Sequence, residues 1–258
     1  MGAVVFDRQI AGEGTPEIQW QAWSGLGQLP LVTLDDLVPP ACRAMVLAPH
    51  PDDEVIGFGG LLSMLAARGS PVLVIALTDG EASHPGSRQW PPAKLAEARI
   101  SESLAGLRQL GLPPCSQNRL ALPDGKLAVS EDFLAQRLAE LLQPRDVVFS
   151  TWQLDGHPDH EAAGQVAARV CSQRGCRHWQ APVWMWHWAR PGDTRVPWPH
   201  LRRLALPANS LRNKALALAA HRTQLVPQDT GAPAVLPGFA LARMQRGFEY
   251  FMPVEATL

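Results

Sequence analysis

The chain carries no excess of either charge: 23 lysines and arginines against 24 acids leave a formal net charge of −1. The basic face that nucleic-acid binding needs is therefore not expected. No apolar run approaches the roughly 18 residues of a membrane span. The opening stretch, MGAVVFDRQIAGEGTPEIQW, lacks a basic segment followed by a long apolar one, so no secretory leader is expected. Phe6 stands where an N-myristoylation site wants Ser or Thr. Cysteine is scarce, with only Cys42, Cys115, Cys171 and Cys176, and the irregular spacing suits a reducing, cytoplasmic setting rather than a disulfide framework. The CSQRGC stretch has loose metal-like spacing but no second pair to complete a zinc knuckle. A dinucleotide fingerprint is missing too. GFGG supplies Gly57, Gly59 and Gly60, but G-x-G-x-x-G needs a glycine where Leu62 stands, and acids occupy the place of a pyrophosphate.

What is present is an ordinary globular composition, 46% hydrophobic and 18% charged over 258 residues, enough for the core of one large α/β domain. Residues 1–42 are irregular and read as an N-terminal extension packed on a single domain over 43–258. Within that domain, buried-strand patterns at 44–48, 71–78, 119–122 and 146–151 alternate with helical ones at 57–70, 91–111, 130–142 and 158–175. Strands separated by helices of ten or more residues indicate βαβ units. The expected fold class is α/β, a Rossmann-like three-layer sandwich around a mostly parallel sheet. Beyond Gly175 the rhythm loosens: PVWMWHWA (182–189) reads as a strand, 201–206 as another, and 209–225 as a helix, with a Pro/Gly-broken tail packed on the domain.

Two strand ends carry the chemistry. LAPHPDDE places His50, Pro51, Asp52, Asp53 and Glu54 after the first strong strand; DGHPDHE places Asp155, His157, Pro158, Asp159 and His160 after a later one. With 8 His, 24 Pro and 13 Asp in the chain, about 0.04 copies of His-Pro-Asp are expected by chance, and two occur. Proline at a first helical position costs no hydrogen bond and pins the turn. Residues three apart in that turn share a side, so His50 with Asp53, and His157 with His160, can converge above the sheet edge. Two imidazoles and one carboxylate with an open position form a catalytic zinc arrangement, with His50, Asp53 and His160 as the ligands and one Zn²⁺ per chain. Asp52 then remains as general base for the water and His157 as a protonated donor to an oxyanion or a leaving amine. The plain alternative, two capped helix starts with acids favoured by the helix dipole, does not explain three histidines.

These motifs resemble the LmbE-like, or PIG-L-like, zinc-dependent N-deacetylases. Further matches are LTDGE (77–81), RISESLAGLRQLG with Arg99 and Glu102, LPDG (122–125) and KALALAAHRTQ (214–224). The resemblance implies removal of acetyl from N-acetylglucosamine-containing molecules, with His50, Asp53 and His160 as zinc ligands, Asp52 as base and His157 on the oxyanion side. Asp155 departs from it, standing where some members carry a substrate-contacting tyrosine.

Around this centre, Glu54 is expected to bond backbone near its turn, and Asp159 to orient His157 or His160 or to act as a plain cap. Thr78 and Glu81 at the next strand end line a pocket or form an ordinary turn; Arg99 holds substrate hydroxyls or a phosphate, or makes a surface salt bridge. His221 closes the pocket or packs. In the 182–189 strand, alternation sends Trp184, Trp186 and Trp188 to one face, either a sugar platform or buried packing. His84, His178 and His200 read as surface residues. The expected activity is N-deacetylation of a small amino-sugar conjugate, against two alternatives: a metal phosphoesterase, and a sugar-binding protein with a structural metal.

Overall fold

The computed structural model describes residues 8–254; the myristoylation reading at Phe6 and the first seven residues of the stretch read for a leader lie outside them. Eight strands form one sheet: β1 (Leu31–Val32), β2 (Ala44–Ala48), β3 (Val72–Thr78), β4 (Gln117–Leu122), β5 (Val147–Thr151), β6 (Arg177–Ala181), β7 (Arg202–Ala205) and β8 (Phe248–Val254). Their order is β1-β7-β8-β6-β5-β2-β3-β4. All neighbours pair parallel except β8, which runs antiparallel to β6 and β7.

Side-chain alternation along the strands builds the two outer layers. In β2, Ala44, Val46 and Ala48 point to one face, where they meet Phe58, Leu61, Leu65, Leu107 and Leu218 from helices on that side. Met45 and Leu47 point to the other, against Leu134, Leu138, Val166 and Val170. The first layer holds helices Gly59–Arg68, Pro92–Gln109 and Ala208–Ala219; the second holds Glu131–Leu141 and Pro158–Arg174. A third cluster, around Trp20, Trp152, Trp186, Trp198 and Tyr250, covers the β7–β8 end of the sheet. The segment before residue 43 contributes Trp20 to that cluster and β1 to the sheet edge.

The chain runs β2 to β3 to β4 on one side, then returns to place β5 on the other flank of β2. The carboxyl ends of β2 and β5 are therefore neighbours at the topological switch point, where open α/β sheets collect ligands. Each His-Pro-Asp turn lies in the connection that leaves one of these two strands.

Several expectations are corrected. The 182–189 segment is not a strand: β6 ends at Ala181 before Pro182, and Met185–Trp188 is one helical turn whose leading N–H groups are taken by a carboxylate described below. The 209–225 helix breaks into Ala208–Ala219 and Arg222–Leu225, because Glu102 accepts from Thr223 N–H and Oγ1 and starts a new turn. The Pro/Gly-broken tail contains β8, inserted between β6 and β7. Its Glu249 carboxylate accepts from the N–H groups of Gly60 and Leu61 and pairs with buried Lys214 at 2.7 Å. Thus a side chain, not a phosphate, occupies that helix N-terminus. His84 and His178 are buried, not surface residues; His200 is exposed.

His178 makes stability pH-dependent. Burial pushes its pKa down from 6.5 to about 3, with Nε2 2.8 Å from Ser150 Oγ and Nδ1 without a partner among the described residues. The folded state requires the neutral ring, so this contribution is complete above the unfolded value and is lost as pH falls below about 6.5. Between pH 7 and pH 5 the loss is about 2 kcal/mol. Urea unfolding at the two pH values should show His178→Gln losing less stability than the parent by roughly that amount; identical losses would refute the assignment.

Candidate metal centre

Local chain geometry aims the first cluster. The turn after β2 is tied to the end of β3 by Thr78, whose N–H and Oγ1 both donate to Pro49 O. Asp52 sits at φ 135°, a conformation costly for a residue with a Cβ. Its surroundings hold it there: its N–H donates to Glu54 Oε2, and Arg99 donates to Pro51 O at 2.7 Å and to Asp52 Oδ2 at 3.1 Å. Glu54 is itself held by Ser103 Oγ. Gly80, at φ +70°, gives Arg99 its place, since a Cβ there would lie 2.0 Å from Nη1.

The second cluster arrives from β5. His157 caps helix Pro158–Arg174, its Nδ1 accepting from Asp159 N–H at 3.2 Å. One turn on, His160 points back over the sheet edge. Asp53 Oδ2 then lies 3.2 Å from His50 Nδ1 and 3.1 Å from His160 Nε2. Among the described residues, the buried Nε2 of His160 meets Asp53 Oδ2 at 3.1 Å but makes no well-directed hydrogen bond, so ring and carboxylate can both turn to a shared point. That is the geometry of ligands about a cation. One ring nitrogen from each of His50, His157 and His160 also falls within 4.8 Å of the others.

Carboxylates stand behind both prospective imidazole ligands, the arrangement that fixes tautomer and orientation at metal sites. Asp155 lies 2.8 Å from His160 Nδ1. Behind His50 Nε2 lie Asp159 Oδ2 at 3.1 Å and Asp124 Oδ1 at 3.2 Å. Asp159 thus faces His50 and not His157 or His160, because Gly125 and Leu127 N–H groups pull its carboxylate toward the 124–127 turn.

The charges around the rings suit a divalent cation. Burial lowers the His160 pKa, but Asp53 and Asp155 outweigh it and raise it to about 9. Burial likewise opposes, and Asp124, Asp159 and Asp53 together overcome, raising His50 well above its usual value. The carboxylates around these rings thus favour positive charge at the point they share. The adjacent carboxylates diverge: Asp53 stays ionised against burial because of His160 and His50, whereas burial, only partly offset by Arg99, raises Asp52 to about 7. His157 differs from its expected protonated form. Burial, reinforced by His160 and His50, lowers it to about 3. The ring is neutral, and because Nδ1 accepts from Asp159 N–H, its proton is on Nε2.

These groups line a cavity of about 300 Å³ together with Arg99, Asp124, Ile56, Val183, Trp184 and Leu236. Other expected contacts lie elsewhere. Asp155 is fully buried, accepting from the N–H groups of Val183, Trp184 and Met185 as well as facing His160; it stands behind His160 and off the cavity wall. Trp186 is buried 5.2 Å from Trp20, with Arg246 4.2 Å over its ring, so the sugar platform does not exist. Of the three tryptophans in that stretch, Trp184 is the one on the cavity wall, beside Val183. Thr78 is spent on Pro49, and Glu81 accepts from Asp124 N–H away from the wall. His221 is buried behind the wall, against Gly106. Asp124, Ser83 and Gln224 on the wall were not named individually from sequence; the LPDG motif, the TDGEAS turn (78–83) and the HRTQ motif contain them.

Residues 45–171 match the family model described as PIG-L: GlcNAc-PI de-N-acetylase. The 1D-myo-inositol 2-acetamido-2-deoxy-alpha-D-glucopyranoside deacetylase of Corynebacterium diphtheriae is 27% identical, covering 78% of this chain and 82% of that protein. The protein of the same name from Nocardia farcinica is 32% identical, covering 53% of this chain and 54% of that protein. Among solved structures, N,N'-diacetylchitobiose deacetylase from Pyrococcus horikoshii is similar at TM-score 0.62 and 22% identity, over 85% of this chain and 86% of that one. A deacetylase of teicoplanin biosynthesis is similar at TM-score 0.64 and 18% identity, over 82% and 97%. At these identities the two structures show a shared fold.

Removing the anchor behind His160 tests the centre. Asp155→Asn should weaken divalent-metal binding by about 10- to 100-fold, read by competition against a chromogenic chelator, with near-UV circular dichroism confirming the fold. Unchanged affinity in a folded variant would show that Asp155 does not support a metal ligand.

Proposed function

The chain carries a PIG-L (LmbE-like) domain, and from that premise we propose that it is a zinc-dependent hydrolase removing the N-acetyl group of an N-acetylglucosamine-type sugar or its conjugate. The observation that carries this reading is the convergence of His50 Nδ1, Asp53 Oδ2 and His160 Nε2 beside a carboxylate, Asp52, poised near neutrality. The relatives named for deacetylation of an amino-sugar inositol support the substrate class. We assign residues 43–258 to the deacetylase domain, with the preceding segment packed on it. Among the described residues no helix is long and apolar enough to cross a membrane. The four cysteines are free thiols, which suits the cytoplasmic setting we propose.

Zinc held by His50, Asp53 and His160 would supply Lewis acidity toward the acyl oxygen and the attacking water. Asp52, with its pKa near 7, takes the proton of that water and is then the acid that can return it to the departing amine. Arg99 keeps the Asp52 carboxylate aimed while donating to Gly80 O and Pro51 O. His157 offers its Nε2–H to the oxygen that gains charge, and does so as a neutral ring. Burial of these groups in a small cavity strengthens each interaction by excluding water.

A metal phosphoesterase would use a second ion, for which His50, Asp124 and Asp159 form a second grouping. Its carboxylates are engaged by the N–H groups of Ala82, Gly125 and Leu127, and it shares His50 with the first. Metal analysis should return near one zinc per chain; two would favour the esterase. With N-acetylglucosamine conjugates as substrates, chelation should abolish acetate release and zinc restore it. Asp52→Asn should retain zinc yet lose turnover by about 10²- to 10⁴-fold. A variant as fast as the parent would remove Asp52 from the mechanism.

A further inference from the structure

Ser83 and His84, which no part of the reaction above uses, belong to the 79–91 loop. Ser83 Oγ lies 2.9 Å from His84 Nδ1, and His84 Nε2 lies 3.1 Å from the carbonyl oxygen of Thr223. A carbonyl oxygen only accepts, so Nε2 carries the hydrogen. Burial, opposed by the Thr223 carbonyl and aided by the nearby Arg99, lowers the His84 pKa, which favours the neutral ring. Nδ1 is then a bare acceptor, and the Ser83 hydroxyl must donate to it. The serine proton is thereby committed to the protein. Among the described residues no donor reaches Ser83 Oγ in return, and Ser83 lines the same cavity as Asp52, Asp53, His157 and His160.

The loop is held on both sides. His84 is buried and ties it to Thr223; Asp229 accepts from Ser87 Oγ and from the N–H groups of Arg88 and Gln89. An acceptor whose hydrogen is fixed, on a loop whose position is fixed, discriminates between ligands, because a partner without a matching donor leaves it unpaired in a partly desolvated wall.

We propose that Ser83, oriented by His84, is a specificity-determining acceptor for one hydroxyl group of the sugar. The proposal rests on the amino-sugar reading of the cavity and deepens it. Ser83 contacts substrate; His84 is a positioning residue that acts through it.

The test compares N-acetylglucosamine with its 3-, 4- and 6-deoxy analogues, using zinc-loaded parent, Ser83→Ala, Ser83→Thr and His84→Phe proteins. Acetate release and, separately, calorimetric binding of the same sugars are measured. The parent should lose about 10-fold in kcat/KM and in affinity on one of the deoxy sugars, the size of one hydrogen bond. Ser83→Ala should lose that factor on the parent sugar, chiefly through KM, and nothing further on that one analogue. Ser83→Thr should restore the discrimination and His84→Phe should blunt it. Equal losses of Ser83→Ala on all four sugars, or no loss at all, would overturn the assignment while leaving deacetylation intact. Parent protein that binds the sugars with the expected discrimination but releases no acetate would instead overturn the deacetylase reading and keep Ser83 in its role.

Discussion

The structure turns on one carboxylate shared between two imidazoles. Asp53 Oδ2 stands about equally far from His50 and His160, and these rings come from opposite sides of the switch point between β2 and β5. Nothing local brings them together, since 110 residues (50 to 160) separate the two histidines. Parallel pairing of β2 with β5 does it, by placing two helix entrances at one height on neighbouring strands. Asp124, Asp155 and Asp159 stand behind the rings, an accumulation of negative charge that a buried site tolerates only with compensating positive charge.

That constraint orders the surroundings outward. Asp155 spends its carboxylate on His160 and on three N–H groups of 183–185, coupling a ring of the centre to the turn that brings Trp184 to the wall. Asp52 is kept in an unfavourable backbone conformation by Arg99 and Glu54; strain held in place by several independent contacts is characteristic of functional positions. The two adjacent aspartates have opposite protonation tendencies because one faces imidazoles and the other faces a single guanidinium across a buried space. Different environments, and not different residue types, set the two aspartates apart.

The far end of the sheet follows a separate logic. Trp20, Trp186, Trp198 and Tyr250 pack over β7 and β8, with Arg246 lying on Trp186 and paired to Glu17. Aromatic rings in such numbers bury large apolar area, and here they fasten the segment before residue 43 to the sheet. Glu249, at the opposite face of β8, seals the N-terminus of helix Gly59–Arg68.

Sequence alone determined what depends on neighbours in the chain. The alternation of apolar runs gave the parallel strands and helices up to Gly175, and proline after each histidine placed His50, Asp53, His157 and His160 at helix starts, because those signals are local periodicity and first-turn chemistry. Tertiary structure decided whatever depends on contacts between distant segments. Asp155 lost its expected place against substrate because the N–H groups that claim it belong to 183–185. Trp186 left the cavity because the strand it was expected to ride stops at Pro182. β8 became an inner strand despite a tail broken by proline and glycine, since antiparallel partners on both sides supply the ordering that its own pattern lacks. His157 became neutral for the same reason: a ring's charge is set by its burial and its neighbours, and neither is written in the residues beside it.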